Sequence, residues 1–471
     1  MQRNDMCINN LVEIDKFQEE CGVFGVYDTQ LKAENTTIMT YYGLYALQHR
    51  GQESCGIAYT DGKSVECKKS MGLVSEGFSR EKLDTMKGYG AIGHVRYSTK
   101  GASKIANAQP ITVNYKLGTI AVAHNGTLVN ADVLRDLLED AGVIFQSTSD
   151  SEVLLSLIAR SAKYGFKRAV TEAMQAVKGS FAIVILTEKG MIGARDPYGI
   201  RPLCIGKKDG MYFLSSESCA FDSVGAEFIR DVKPGEIVMI SEEGIESIYE
   251  IELTKLATCS FEYIYFARPD SRIDGIDVYK TRELAGEVLA RAHPVDADIV
   301  TGVPDSGIPA AVGYATYSGI PYKIGLIKNK YIGRTFIAPT QEMREHSVHV
   351  KMNALKANVE GKRVVLIDDS IVRGTTSKRL ITLLKNAGAT EVHLRISSPA
   401  VQFPCYFGID TPYRSDLIAA TQTKEETAKL IGADSLEYLE IPLLLEALGG
   451  KDEFCMGCFS GIYPVPTPVG E

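Results

Sequence analysis

Residues 364 to 376 read Val-Val-Leu-Ile-Asp-Asp-Ser-Ile-Val-Arg-Gly-Thr-Thr. Two carboxylates, three hydroxyls, a guanidinium and a glycine within so short a span are groups that handle phosphate esters. The branched apolar run Val364 to Ile367 predicts a strand buried on both faces of a parallel sheet. Asp368 and Asp369 then emerge at its carboxyl end, where open α/β sheets place their ligands. Ser370, Arg373, Gly374, Thr375 and Thr376 follow where a helix, about residues 375 to 388, is expected to begin. A helix start rich in N–H and O–H donors is a phosphate site, and hard carboxylate oxygens beside it suit a magnesium-chelated sugar phosphate. Without that chemistry the stretch is a buried strand, a capped helix and two solvated acids.

A second reactive set lies near the amino end. Glu19-Glu20-Cys21-Gly22-Val23-Phe24-Gly25-Val26-Tyr27 reads as a loop entering a strand, and Cys21 alone is more often a small buried residue than a nucleophile. Polar motifs follow at His49-Arg50-Gly51-Gln52-Glu53-Ser54, Gly93-His94-Val95-Arg96-Tyr97-Ser98-Thr99, His124-Asn125-Gly126-Thr127 and Ser149-Asp150-Ser151-Glu152. In this order and rough spacing they resemble the class II (N-terminal nucleophile) glutamine amidotransferases. The 364 to 376 stretch resembles the phosphoribosylpyrophosphate (PRPP) motif of type I phosphoribosyltransferases. Together the two sets resemble the glutamine PRPP amidotransferases, in particular the subclass with a propeptide and an iron–sulfur cluster, over almost the whole chain after residue 20.

Chemistry explains why a nucleophile of this kind must come first. Amide hydrolysis needs a thiolate and a base, and a free α-amino group, with a pKa near ~7.7 to 8.0, serves as that base. Bonded to Glu20, the Cys21 nitrogen is an amide and has no such capacity, so residues 1 to 20 are expected to be a propeptide removed at Glu20-Cys21. The resemblance implies that Arg96 pairs with the α-carboxylate of glutamine, Asp150 with its α-ammonium, and that Thr99 helps orient it. A charged fork and an opposing acid are what an amino acid zwitterion requires. It also implies an oxyanion hole from the Asn125 side-chain amide and the Gly126 N–H, and a loop at Arg50 and Gly51 that closes over glutamine. Cys55 stands where alanine is common, and a packing role is expected of it.

In the carboxyl-terminal half, Ile299-Val300-Thr301-Gly302-Val303-Pro304-Asp305-Ser306-Gly307 is a short strand running into a turn whose amides form an anion nest. The resemblance makes this the pyrophosphate loop, with Asp305 and Ser306 at PRPP and Ser306 near magnesium. Lys328-Asn329-Lys330-Tyr331-Ile332-Gly333-Arg334 resembles the flexible loop that closes on PRPP, with Lys328 and Arg334 on its phosphates and water excluded. Lys351 adds a phosphate contact, although neighbouring His349 occupies a place where the family often has arginine. Asp368 and Asp369 are implied to meet ribose hydroxyls and Mg2+, and Ser370 with Arg373 to Thr376 the 5'-phosphate.

Cys455-Met456-Gly457-Cys458 is a lone C-x-x-C, which by spacing is a redox pair, half a zinc site or half an iron–sulfur site. Cys259 and Cys405 are the candidate partners, and the resemblance implies that all four hold a [4Fe-4S] cluster, structural rather than redox-active. Cys7, Cys67, Cys204 and Cys219 lack a motif.

These groups must be positioned by two folded units. The chain has 471 residues, 45% apolar and 23% charged, which is ordinary soluble composition with room for two or three domains. Alternating apolar runs between Gly and Pro turns in residues 163 to 250 agree with antiparallel strands, and the resemblance implies an αββα sandwich of mixed α/β and α+β class, followed by a phosphoribosyltransferase domain with a mainly parallel sheet. The expected layout is 1–20 propeptide, 21–255 glutaminase, 256–448 phosphoribosyltransferase and 449–471 cluster-binding tail. A net charge of -8 with no basic stretch argues against nucleic acid. No apolar run reaches the ~18 residues of a membrane helix, and acids such as Asp5, Glu13 and Asp15 rule out a secretory leader, so a cytoplasmic location is expected. Ten cysteines in such a chain point to thiols, catalysis or metal rather than disulfides. The resemblance further implies purine nucleotides as inhibitors, a homotetramer or homodimer, and an internal ammonia channel. Two rivals remain: a glutaminase joined to another synthase, which would not need residues 364 to 376, and an oxygen-sensing PRPP-binding regulator, which would not need Cys21, Arg96, Asn125 and Asp150.

Overall fold

The structure, a computed structural model, describes residues 21–33, 35–97, 103–251, 255–329, 352–411 and 413–467. In the amino-terminal unit two antiparallel sheets lie face to face. The first runs Glu227–Asp231, Cys204–Lys208, Met211–Ser215, Gly22–Asp28, Gly90–Arg96, Ser54–Thr60, Val65–Met71. The second runs Gly244–Tyr249, Ile237–Ser241, Gly190–Arg195, Gly179–Thr187, Gly118–Leu128, Ile111–Tyr115. Period-two alternation builds the layers. Along Gly22–Asp28, Phe24 and Val26 enter a core shared with Leu44 and Leu47 of the helical side, while Val23 and Tyr27 enter the core between the sheets with Ala182 and Val184. Each such side chain contributes ~1.5–3 kcal/mol by leaving water. Helices Asp150–Ser161 and Phe166–Ala176 cover the outer face of the second sheet with Leu154, Ile158 and Val170. The result is the expected αββα sandwich.

The carboxyl-terminal unit is built on a parallel sheet ordered Ile299–Gly302, Arg363–Asp368, Glu391–Ile396, Ser435–Tyr438. Val364 and Leu366 face one core and Val365 and Ile367 the other, which is why that run carries no polar alternation. Because Gly302 pairs with Ile367, the turn after the first strand lies beside the acids after the second.

Within the carboxyl-terminal part, Thr258–Cys259 pairs in parallel with Phe454–Cys455, and Phe261 stacks on Phe459 at 5.4 Å between ring centres. The Cys259 N–H donates to the Ile200 carbonyl of the sandwich at 3.1 Å. Among the described residues no helix is long and apolar enough to cross a membrane.

Candidate active site

Cys21 stands at the mouth of the strand Gly22–Asp28, whose Gly22 pairs with Val95, so its thiol lies beside the end of the neighbouring strand and its Sγ donates to the Tyr97 carbonyl at 3.5 Å. Across the two sheets, the buried His94 ring contacts the His124 carbonyl through Nε2 at 3.0 Å, one residue before Asn125. Burial holds His94 neutral by pushing its pKa from 6.5 down to about 3, so Nε2 is the donor. The Gln109 side chain accepts from the His124 N–H at 2.7 Å and donates from Nε2 to the His124 carbonyl at 3.4 Å, so it holds the peptides on both sides of His124. Asn125 is 1% exposed and its Nδ2 has no hydrogen-bond partner among the described residues. A buried donor left open costs about 1–3 kcal/mol, so an amide held open in this way is poised for something that arrives. Gly126 follows at φ +137°, and a Cβ there would sit 2.2 Å from the Ser180 carbonyl, so no other residue fits.

The residues expected to hold the two ends of an amino acid lie around this centre. Arg96 closes its strand and donates from Nη1 to Glu53 at 2.7 Å, an acid that the sequence reading had not singled out. Asp150 opens the helix Asp150–Ser161, accepts from the Leu128 N–H at 3.0 Å and lies 3.6 Å from His124 Nδ1. Burial pushes its carboxyl up, but His124 and these hydrogen bonds outweigh burial and hold it below the usual range, as an anion. Thr99 and residues 1–20 lie outside the described residues.

Arg50, expected on a loop closing over glutamine, is anchored by its side chain. Its guanidinium is 1% exposed and turned inward. Nη1 and Nη2 reach Glu262 at 2.9 and 2.7 Å, Nη1 also reaches Glu217 at 2.7 Å, and Nε donates to the Cys21 carbonyl at 3.1 Å. Gly51 lets this turn press on Arg96, since a Cβ there would lie 2.7 Å from Arg96 backbone atoms. Glu217 accepts further from His49 at 2.7 Å, from the Arg268 N–H at 2.8 Å and from Ser271 Oγ at 2.7 Å. Burial pushes the Glu217 carboxyl up, and His49 and Arg50 overcome it and hold it well below the ordinary carboxylate range. Arg50, Glu217, Glu262 and Arg201, the last 3.5 Å from Glu262, form an ion network across the junction of the two units. The sequence alone marks none of Glu217, Arg201 and Glu262 as a site residue. The signal for Glu262 was present: one acid within Phe261-Glu262-Tyr263-Ile264-Tyr265-Phe266 has to be buried, and a buried charge needs a partner.

In the carboxyl-terminal unit the acids and hydroxyls converge as the sheet order requires. Asp368 and Asp369 are each 1% exposed. Asp369 accepts from Ser370 Oγ at 2.6 Å and from Ser306 Oγ of the neighbouring turn, and its N–H donates to Asp368 at 2.9 Å. Arg373 and Gly374, the latter at φ +82°, lead into the helix Thr375–Asn386, whose first-turn N–H groups face the same end of the sheet. Lys328 reaches Asp305 at 2.9 Å on the rim. Arg334 and Lys351 lie outside the described residues. Arg282, unnoticed in the sequence, is buried nearby and donates to the Tyr263 and Ala267 carbonyls at 2.6 and 2.7 Å. Burial lowers its pKa to about 10, opposed by the pull of Asp369. The donor set is all oxygen, and among the described residues no three His, Cys, Asp or Glu groups are arranged to hold a metal ion. An all-oxygen donor set is the kind magnesium takes, keeping waters and substrate phosphates beside one or two carboxylates.

The four cysteines expected at a cluster lie near one another, and as placed they form no group that could hold a metal ion. Cys259 is the register partner of Cys455, and Cys458 follows on the next turn. The N–H groups of Gln402 and Phe403 donate to the Cys458 carbonyl at 3.0 and 3.1 Å, which brings the Cys405 loop alongside. Burial pushes the Cys458 thiol far up, and the fields of Cys455, Cys259 and Cys405 add to that push. None of the nine described cysteines is in a disulfide.

Two family models match the chain, a glutamine amidotransferase domain over residues 94–223 and a phosphoribosyl transferase domain over residues 279–397. The amidophosphoribosyltransferase of Bacillus subtilis (strain 168) is 50% identical, with 96% of each chain covered. The amidophosphoribosyltransferase of Archaeoglobus fulgidus is 51% identical, with 96% of this chain and 99% of that one covered. Among solved structures, a B. subtilis glutamine PRPP amidotransferase complexed with ADP and GMP superposes with a TM-score of 0.89 at 49% identity, covering 95% of this chain and 98% of that one.

Proposed function

The chain belongs to the amidophosphoribosyltransferases, and from that premise we propose how its residues divide the reaction. The enzyme converts PRPP, glutamine and water to 5-phosphoribosylamine, glutamate and pyrophosphate, the first committed step of purine synthesis. The observation that carries the site reading is the buried Asn125 Nδ2, which has no hydrogen-bond partner among the described residues.

In the glutaminase half, the Cys21 α-amino group, once residues 1–20 are removed, takes the thiol proton as sulfur attacks the glutamine side-chain carbonyl. Asn125 Nδ2–H and the Gly126 N–H receive the developing oxyanion, each such donor being worth ~2.7–4 kcal/mol of barrier. The amine returns its proton to the leaving ammonia, and water then cleaves the glutamyl thioester. Arg96, released from or shared with Glu53, holds the α-carboxylate, and anionic Asp150 holds the α-ammonium. Thr99 and the Arg50-Gly51 turn complete the glutamine contacts, Gly51 through its backbone.

In the transferase half, Asp368 and Asp369 hold the ribose hydroxyls, and Ser370 with Arg373, Gly374, Thr375 and Thr376 binds the 5'-phosphate. Asp305, Ser306 and Lys328 bind pyrophosphate, with Arg334 and Lys351 closing over it. Ser306, Asp368 and Asp369 would hold Mg2+, which when bound neutralises charge on the departing pyrophosphate. Water is excluded so that ammonia, passed along an internal apolar route, captures the anomeric carbon.

Cys259, Cys405, Cys455 and Cys458, once drawn together, would hold a [4Fe-4S] cluster with a structural role, clamping the tail to the junction; iron and labile sulfide absent after anaerobic purification would remove it. The units are taken as 21–255, 256–448 and 449–471 after a 1–20 propeptide, and active protein whose mass begins at Met1 would exclude that processing. Feedback by purine nucleotides, a homotetramer or homodimer, and a cytoplasmic location complete the proposal. The decisive assay supplies glutamine and PRPP and follows glutamate and pyrophosphate together. Release of the two in equal amounts is expected, and PRPP-independent glutamate release without pyrophosphate would refute it.

A further inference from the structure

We propose that the turn Phe407–Gly408, carried by the carboxyl-terminal unit, positions the oxyanion donor at Gly126 and so makes glutamine hydrolysis depend on the partner unit's fold. This rests on the reading of Asn125 and Gly126 as the oxyanion hole.

Gly408 has φ +106°, and a Cβ placed on it would lie 3.2 Å from the Gly126 Cα, 3.3 Å from its carbonyl carbon and 3.1 Å from Arg201 Nη2. Two glycine backbones from different units are therefore in direct contact at the residue whose N–H must point at the substrate. The Phe407 carbonyl next to it is saturated with donors. Ser180 Oγ donates to it at 2.7 Å, Arg201 Nε at 2.9 Å, and Arg201 Nη2 as well. Ser180 Oγ in turn accepts from the Thr127 N–H at 3.3 Å, so one hydroxyl joins the residue after Gly126 to the turn. Ser180 and Arg201 are fully buried and Phe407 is 2% exposed.

Gly126 has no side chain to fix its peptide, so its orientation comes from what lies on either side. Phe181 is its ladder partner within the second sheet, and Gly408 presses on it from the other unit. The same Arg201 faces Glu262 at 3.5 Å, Glu262 holds Arg50, and Arg50 holds the Cys21 carbonyl. One guanidinium thus links the turn that sets the oxyanion donor to the network that sets the nucleophile. The Phe407 N–H donates to Cys405 Sγ at 3.3 Å, which ties the turn to the cysteine loop as well.

The test uses full-length enzyme carrying Gly408→Ala, and separately Ser180→Ala, which removes the hydroxyl bridge without adding volume. Ammonia-dependent turnover of PRPP, which bypasses glutamine, reports whether each variant is folded. The proposal expects kcat for glutamine hydrolysis to fall at least about tenfold in Gly408→Ala and severalfold in Ser180→Ala, against ~10²–10³ for outright loss of an oxyanion donor. KM for glutamine and ammonia-dependent turnover should stay within about twofold, since a positioning defect acts in the transition state. A parallel fall of both activities in both variants, or unchanged kcat in both, overturns it. Asn125→Ala separates the two layers. If that variant loses hydrolysis while both turn variants keep it, the turn proposal alone is wrong; if it hydrolyses glutamine normally, the oxyanion reading and this proposal fall together.

Discussion

Replacing Glu262 with Ala removes the acid that Arg50 grips across the junction. Arg50 is 1% exposed and gives Glu262 bonds of 2.7 and 2.9 Å, with Glu217 at 2.7 Å on the same guanidinium. Removing one partner of a buried pair costs about 3–5 kcal/mol, because the surviving charge stays desolvated. Glu217 still faces Arg50, which places the expected loss at the lower end, about 3 kcal/mol. Arg50 Nε also holds the Cys21 carbonyl at 3.1 Å, so a guanidinium that swings toward Glu217 shifts the nucleophile. A displacement near 1 Å at a reacting group costs on the order of 10²-fold, and a fall of ten- to a hundredfold in glutamine hydrolysis is expected. Ammonia-dependent turnover should change less than twofold, because Asp368, Asp369 and the helix Thr375–Asn386 are held by their own sheet. With 23 tyrosines and no tryptophan, urea unfolding is followed by tyrosine fluorescence, alongside both activities. Glu262→Gln, which keeps the shape and one acceptor, should fall between wild type and Glu262→Ala. A stability change under about 1 kcal/mol together with unaltered hydrolysis would show that the network neither stabilises the junction nor orients Cys21.

Asn125→Ala should lower kcat for glutamine hydrolysis by ~10²–10³ with KM nearly constant, measured by glutamate release; a change confined to KM would make Asn125 a ground-state contact. Asp368→Asn should cut PRPP-dependent turnover while glutamine hydrolysis survives, and equal loss of both would contradict its assignment to the sugar phosphate. His94 gives a pH signature. It is neutral when folded, with its pKa lowered from 6.5 to about 3, so only the unfolded chain takes a proton between those values. Its contribution to stability is therefore full above 6.5 and declines as pH falls toward 3, by ~1.4 kcal/mol per pH unit. His94→Gln, which keeps a donor for the His124 carbonyl, should flatten the fall in urea midpoint between pH 6.5 and 5; a slope equal to wild type would rule His94 out as its source.

Much of the site was legible because its motifs are local. Asp368 to Thr376 are consecutive, so a buried strand ending in two acids and a helix start already places every group at one sheet edge. The strand after Cys21 was legible for the same reason, because its apolar residues follow the thiol directly. What the sequence did not disclose is pairing over long separations. Arg50 and Glu262 are 212 residues apart, and Ser180 and Phe407 are 227 apart. Nothing in Arg50 alone says that its charge turns inward to an acid of the other unit rather than outward to a substrate. Glu53 was hidden within a motif read for its neighbours, and its bond to Arg96 depends on the register of Ser54 against Arg96. The Phe407–Gly408 turn was read only for Cys405, because a backbone carbonyl and a glycine carry no chemical label until the chain is folded.

The central claim is that ammonia made at Cys21 reaches the PRPP site without entering solvent. Glutamine labelled with 15N in its side-chain amide, supplied with PRPP and a large excess of unlabelled ammonium near neutral pH, tests it directly once the phosphoribosylamine is trapped and its isotope ratio read. The account predicts product nitrogen drawn from glutamine with little dilution. Product carrying the isotope ratio of the bulk ammonium pool would contradict it.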